Sequence, residues 1–404
     1  LEPSTVSIRF QDTARSAGIE FPYVNGGRPG QDGIRFLQES TGGGIAILDY
    51  DADGWPDLYV AQGCRWPPSD SQNKDIDRLF RNLGDGRFAD VTDQAGLAEN
   101  RFSQGVTVGD INNDGFPDLY VGNIGANRLY LNNTDGTFRD VTRETGSPGV
   151  ADRRWTTSCL IADLNGDGWP DIYSVNYLGG PDVFTRVCRV DGREHLCPPQ
   201  AFPAAADRLY LGDGTGGFDE VTAESGLVAA DGAGLGLVAV DLDGSGQLSL
   251  FVANDARPNF LFVNRTTTRG QSPRFDERAL RAGVALNRLG QTEACMGVAA
   301  GDRDGDGRID LFVTNFEFES NTLYRQVSDG VFADATQDAG LSVGGLPLLG
   351  FGTQFLDADL DGRLDLFVTN GHTEKDPGPD AAYEMSPQFY RNRGRGAFRE
   401  LESD

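Results

Sequence analysis

A nine-residue pattern, Asp-x-Asp-x-Asp-Gly-x-x-Asp, recurs six times along this chain, each time between two short apolar runs. The copies are Asp49, Asp51, Asp53, Gly54, Asp57; Asp110, Asn112, Asp114, Gly115, Asp118; and Asp163, Asn165, Asp167, Gly168, Asp171. A fourth is degraded to Asp241, Asp243, Ser245, Gly246, Ser249. The last two are intact: Asp302, Asp304, Asp306, Gly307, Asp310 and Asp357, Asp359, Asp361, Gly362, Asp365. Carboxylates at alternate positions repel one another unless a hard cation takes their oxygens as ligands, and the expected occupant is calcium. The backbone carbonyls of Trp55, Phe116, Trp169, Arg308 and Arg363 are expected to add to the side-chain oxygens, and the final Asp to close each cage. Five sites are well formed. The sixth, with Ser245 and Ser249 in place of two anionic ligands, is expected to be empty or weakly filled.

An EF-hand begins the same way but needs a Glu at its twelfth position and flanking helices. Counting twelve from Asp49 reaches Val60, and from Asp302 reaches Val313. Each loop instead runs into a strand-forming segment, DLYVAQ, DLYVGN, DIYSVN, SLFVAN, DLFVTN and DLFVTN, so each loop is read as a hairpin tip between two strands. Ordinary Asp/Gly turns without an ion are the alternative.

The whole unit repeats. A small, Gly-bearing strand precedes each loop and the DLYV-type strand comes after it. A third strand (RLFRN, RLYLNN, RLYLGD, NFLFVN, NTLYRQ, QFYRNR) and a fourth (RFADVT, TFRDVT, GFDEVT, RFDERA, VFADAT, AFRELE) complete it. Four short antiparallel strands repeated at this spacing predict an all-β fold, a β-propeller of four-stranded blades. Residues 1–404 read as a single propeller domain, with 178–206 as an inserted loop. The small residues of the first strand fit innermost strands that crowd together. The N-terminal IRFQDTARSAGI matches the fourth-strand motif, giving seven fourth strands for six sets of the others. The surplus implies either a seventh blade or a spare N-terminal strand.

The formal net charge is −26, which repels DNA, RNA and anionic lipid. Much of it is local, since the six loops hold 20 Asp side chains. No apolar stretch approaches the ~20 residues that span a bilayer. LEPSTVSIRF does not read as a signal peptide, and the numbering is expected to start near a mature terminus. Of five Cys, Cys188 and Cys197 bracket a polar insertion and are the expected disulfide. Cys159 and Cys295 are expected to pack within apolar strands, and Cys64 has no assignment. Loops of this kind fill where calcium is near millimolar, which points to a secreted, extracellular or periplasmic protein.

The loops, with their flanking GVAxxD and DLYVxN strands, resemble FG-GAP/VCBS repeats, the unit of integrin α-chain propellers. The FxDVTxxAGL segments (Phe88 to Leu97, Phe138 to Gly146, Phe218 to Leu227, Phe332 to Leu341) and Asn370-Gly371-His372 are similar to the cartilage acidic protein family. Bacterial members of that family usually carry a C-terminal ASPIC/UnbV domain. No such segment is visible here, and the chain reads as a bacterial-type member without it, truncated or processed before a seventh blade.

With the metal hairpins on one rim, the loops after the DLYV strands emerge on the other. That rim holds the insertions 63–77, 178–206 and 372–386, and a polar series at equivalent strand ends: Gln62, Asn123, Asn176, Asn254, Asn315, Asn370. Glu39, Asp255, Glu293, Glu317 and His372 are expected beside it. These amides either hold turns or line a binding surface. His372, Asp255 and Glu317 are the candidate catalytic set. His195, in the insertion, is expected to be solvated. Two glycosylation sequons begin at Asn132 and Asn264. The leading expectation is a calcium-binding adhesion or ligand-binding module for an extracellular protein or glycan, with no chemistry of its own. The alternatives are a carbohydrate-active lyase or dehydratase, which related propellers include, and an assembly subunit of a larger extracellular complex.

Overall fold

The chain is all-β, built as six four-stranded antiparallel blades of a β-propeller. The computed structural model describes residues 8–27, 36–68, 74–144, 150–190, 192–228, 231–374 and 382–401. Two compact units carry three blades each.

The unit formed by Asp12–Asp231 and Thr266–Arg274 holds blades 1 to 3. Blade 1 comprises Ile45–Leu48, Asp57–Val60, Arg78–Asn82 and Phe88–Asp90. Blade 2 comprises Phe102–Gly109, Asp118–Ile124, Arg128–Asn132 and Phe138–Asp140. Blade 3 comprises Thr156–Ala162, Asp171–Asn176, Arg208–Gly212 and Phe218–Glu220. The unit formed by Leu1–Gln11, Gly232–Arg265 and Phe275–Asp404 holds blades 4 to 6. Their strands are Gly234–Val240, Ser249–Asn254, Phe260–Asn264 and Phe275–Glu277; Val298–Gly301, Asp310–Val313, Thr322–Ser328 and Val331–Asp334; and Gly350–Leu356, Asp365–Asn370, Gln388–Asn392 and Phe398–Leu401. In every blade the second strand pairs with the first and the third, and the fourth strand lies at the edge.

In blades 2 to 5 both faces of the second strand are buried, which is why DLYV and DLFV read as near-continuous apolar runs rather than as alternation. Within each unit the core lies between successive blades. Tyr59 and Leu79 of blade 1 pack with Leu119 and Val121 of blade 2, and Tyr120 and Leu129 of blade 2 with Ile172 and Tyr210 of blade 3. Phe251 and Leu261 meet Leu311 and Tyr324, and Phe312 and Leu323 meet Leu366 and Tyr390. Each such side chain contributes about 1.5–3 kcal/mol of burial. Glycines in and beside the first strands answer the crowding expected there. A Cβ on Gly297 would stand 2.0 Å from the Phe351 carbonyl oxygen, and one on Gly109 2.3 Å from Ile161 Cγ2.

Two expectations are corrected. The N-terminal run from Ile8 forms no strand, because among the described residues it has no third strand to pair with. The turn after it still docks as the sequence repeat implies: Phe88 donates its N–H to Ala17 O at 2.7 Å, as Phe138 does to Ala95 O and Phe398 to Ala339 O, both at 2.8 Å. Cys295 precedes its strand rather than lying in it and is buried in the core between blades 4 and 5. Cys159 lies in a strand as expected, and burial pushes its thiol up to about 12. Cys64 is fully buried.

Candidate metal centres and the opposite strand ends

The six acidic loops share one backbone template. The first Asp accepts two N–H groups, from the fifth residue on one oxygen and from Gly on the other. In loop 1 these are Asp53 N to Asp49 Oδ1 at 3.0 Å and Gly54 N to Asp49 Oδ2 at 2.9 Å. The same pair recurs on Asp110, Asp163, Asp241, Asp302 and Asp357. The fifth residue then accepts the N–H of the seventh: Trp55, Phe116, Trp169, Arg308 and Arg363 donate to Asp53, Asp114, Asp167, Asp306 and Asp361. The degraded loop keeps this scaffold, with Gln247 donating to Ser245 Oγ at 3.3 Å. The turn is thus held by the side chains' bonds to their own backbone, and the ligand set is a separate property of the sequence. The loop glycines all lie at positive φ, from +79° at Gly246 to +93° at Gly168, where a side chain would be strained.

The ninth-position Asp does more than close a cage. Asp118 accepts Ile111 N at 2.9 Å and Asn132 N at 2.7 Å, one on each oxygen, tying the loop to the third strand. Asp57, Asp171 and Asp365 repeat this arrangement. Asp310 accepts Gln326 N at 2.8 Å and faces Arg303 Nε at 3.0 Å. Burial, opposed by these bonds, pushes Asp118 and Asp171 up to about 7 and Asp57 and Asp310 up to about 6. A carboxylate oxygen with a second lone pair remains able to ligate.

Three loops gather carboxylates closely enough for one cation. In each of the sets Asp49–Asp51–Asp57, Asp302–Asp304–Asp306 and Asp357–Asp359–Asp361, one oxygen per residue lies within 4.8 Å of the others. In each, Oδ1 of the third-position residue (Asp51, Asp304 or Asp359) is buried without a hydrogen-bond partner. An anionic oxygen withdrawn from water and left unbonded is costly. A cation fits this donor set of hard oxygens, and these clusters can hold a metal ion. In the loops of blades 2 and 3 the third position is an amide, Asn112 or Asn165, whose Oδ1 accepts the N–H of the fifth residue.

At the other end of the second strands the amide series holds turns. Asn123, Asn176, Asn254, Asn315 and Asn370 each donate Nδ2 to a carbonyl just before the third strand, at 2.8–3.1 Å, and Gln62 Nε2 bonds Pro22 O. Oδ1 of Asn123, Asn254, Asn315 and Asn370 is buried and unbonded. A feature missed from sequence recurs here: the residue just before the third strand accepts the backbone N–H at the end of the second. Gln62 N donates to Asp77, Asn123 N to Asn127, Asn176 N to Asp207, Asn254 N to Asn259 and Asn315 N to Asn321. The signal was an Asp or Asn at a fixed position in five of the six repeats.

His372 and Glu317 are brought together, Nε2 to Oε1 at 3.3 Å, with Phe316 edge-on to the imidazole. Nδ1 accepts Glu374 N at 2.9 Å. Asp255 instead lies on the Asp255↔Ala294 bridge, where Ala256 N donates to Glu293 O. Glu293 is bonded by Asn287, Asn315 and Thr322 and serves the fold. Glu39 is buried in a short helical turn.

Cys188 and Cys197 form a disulfide that closes the hairpin of Cys188–Val190 with Arg193–His195. Of the insertions, 69–73, 191 and 375–381 lie outside the described residues. Phe184 of the large insertion packs on Trp66 of the shorter one at 4.7 Å and on Trp155 at 5.3 Å. Nearby, a cavity of about 590 Å³ is lined by Arg101, Arg128, Arg143 and Arg153 together with Pro68, Gly125 and others.

Repeated four-stranded blades with acidic hairpin loops define a class, and part of this chain matches its repeat unit: the FG-GAP-like repeat matches residues 49–121, 111–174 and 302–368. Among characterised proteins it is similar to cartilage acidic protein 1 of Homo sapiens, 31% identical over 179 residues, 44% of this chain and 24% of the relative. The Xenopus tropicalis protein of that name is 30% identical over 181 residues, 44% of this chain and 24% of the relative. The match thus spans about a quarter of the length of these relatives. An Agrocybe aegerita lectin, solved for its recognition of non-reducing terminal N-acetylglucosamine, aligns over 96% of this chain and 82% of its own, with 16% identity and a TM-score of 0.49. Among the described residues no helix is long and apolar enough to cross a membrane.

Proposed function

We propose that this chain is a secreted, calcium-binding propeller that acts as an adhesion or ligand-binding module toward an extracellular protein or glycan. The observation that carries the calcium reading is the equivalent buried, unbonded Oδ1 of Asp51, Asp304 and Asp359, each within a close carboxylate set. Ions in these loops are structural. They convert electrostatically strained turns into pinned hairpins, and by linkage they stabilise the folded state. Five loops carry the full oxygen set, and the loop at Asp241 is the weak one. The disulfide fits an oxidising compartment.

The ligand-binding reading rests on the insertion-bearing end of blades 1 to 3, where Trp66 and Phe184 of two insertions pack together beside an arginine-lined cavity. On a chain of net charge −26, a cleft of guanidinium groups favours carboxylate or sulfate groups on the ligand. The test is thermal unfolding in calcium and after dialysis against a strong chelator, then binding to immobilised acidic and neutral glycans. The expected result is a marked drop in melting temperature on chelation and calcium-dependent binding weakened by Arg143→Ala/Arg153→Ala. An unchanged melt sinks the calcium reading, and glycan binding indifferent to the double substitution sinks the cleft. The His372–Glu317 contact favours the enzymatic alternative; turnover of a screened glycan, lost in His372→Ala, would establish it.

A further inference from the structure

We propose that Arg81, Arg325 and Arg391 are positioning residues of the ion cages in blades 1, 5 and 6, each supplying from the third strand a donor that a third-position Asp cannot supply for itself; the inference rests on the calcium reading above. These three arginines occupy the same position, the fourth residue of RLFRN, TLYRQ and QFYRN. Each guanidinium reaches Oδ2 of the third-position Asp: Arg81 Nε to Asp51 at 2.6 Å, Arg325 Nε to Asp304 at 3.1 Å, and Arg391 to Asp359. Each also reaches Oδ2 of the fifth-position Asp: Asp53 at 2.9 Å, Asp306 at 3.3 Å and Asp361 at 3.9 Å. The arginine therefore holds the outer oxygens of two adjacent carboxylates and leaves the inner Oδ1 of the third-position residue directed into the cage. Those inner oxygens are the buried, unbonded ones, and the Asp304 and Asp359 side chains are 9% and 0% exposed.

The other loops show why an arginine is needed only there. In blades 2 and 3 the third position is Asn, and its own Nδ2 donates to the fifth-position Oδ2: Asn112 to Asp114 and Asn165 to Asp167, both at 3.0 Å. The third-strand position is then Leu131 or Leu211. In blade 4 the third position is Asp243, but the fifth is Ser245, whose side chain bonds Asp243, and the third-strand residue is Val263. Arginine thus occurs in the three repeats where Asp fills both positions and in none of the others. An Asn carries its donor with it, whereas an Asp pair takes one from the neighbouring strand, joined in blades 5 and 6 by the loop's own Arg308 and Arg363, which donate to Oδ2 of Asp306 and Asp361. Besides aiming the ligand, the guanidinium lowers the repulsion of a four-carboxylate cage before an ion arrives, so its removal bears hardest on the ion-free state.

The experiment measures melting temperatures in calcium and in chelator for the wild type, Arg81→Leu, Asp51→Asn/Arg81→Leu, Asn112→Asp and Asn112→Asp/Leu131→Arg. Arg81→Leu should lose more stability in chelator than in calcium, widening the calcium-induced shift, and the double variant, which recreates the chemistry of blades 2 and 3, should restore the wild-type shift. Asn112→Asp should widen the shift and Leu131→Arg should narrow it again. Equal losses in both solvents, or no recovery in the paired variants, would overturn the proposal and leave the calcium reading standing. A wild type without any calcium-induced shift would overturn both. Should Arg81→Leu unfold in both solvents, Asp51→Asn/Arg81→Leu must fold, and its failure to do so counts against the proposal.

Discussion

At the fourth position of every acidic loop the backbone turns into the left-handed region, at Ala52, Asn113, Gly166, Gly244, Gly305 and Leu360. Three repeats meet this with Gly and one with Asn, residues suited to it, but Leu360 sits at φ 55° and is 88% exposed. A branched, solvated Leu there carries about 1 kcal/mol of backbone strain and gains nothing from packing. Leu360→Gly should therefore stabilise the protein by about 0.5 kcal/mol after the entropy of the freer unfolded chain is subtracted. Urea unfolding would measure this, and a loss of stability would contradict it. The nonapeptide advertised Gly at its sixth position, and that reading was sound. The fourth position was silent because its residues vary while their dihedral angle does not.

At the scale of elements, strand order and hairpin tips were legible because acidic loops and apolar runs alternate with a fixed cadence. The crowding of first strands was legible as well, and it has a measurable cost. Gly297→Ala would place a methyl group against the Phe351 carbonyl, forcing the first strands of blades 5 and 6 apart. We expect a loss of about 2 kcal/mol or more, read from the denaturant midpoint. The ties between successive loops could not be seen in advance. Asn132 Nδ2 donates to Tyr50 O, Gln326 Nε2 to Leu242 O and Asn392 Nδ2 to Arg303 O, at 2.7–2.8 Å. Each amide is the fifth residue of a third strand and bonds the residue after the first Asp of the preceding blade's loop. Partners more than 80 residues apart leave no local pattern, and an amide at or near a strand end reads as an ordinary turn residue.

For the molecule as a whole, charge governs stability through the buried ninth-position carboxylates. Raised to about 6 at Asp57 and Asp310 and about 7 at Asp118 and Asp171, they hold protons more tightly folded than unfolded. In ion-free protein their contribution is complete below about pH 4 and is lost as pH rises through the folded values. The melting temperature in chelator should therefore fall between about pH 5 and about pH 8, and calcium, which selects the ionised form, should oppose that fall. Calorimetry at both pH values checks this, and a flat chelator profile contradicts it. The two sequons have another consequence for anyone producing the chain in a eukaryotic host. Asn132 is 1% and Asn264 5% exposed, and each spends its Nδ2 on a backbone carbonyl. A sugar on either nitrogen is incompatible with a finished blade, so glycan-bearing molecules in such a preparation would be chains decorated before they folded, and their mass would mark them for removal.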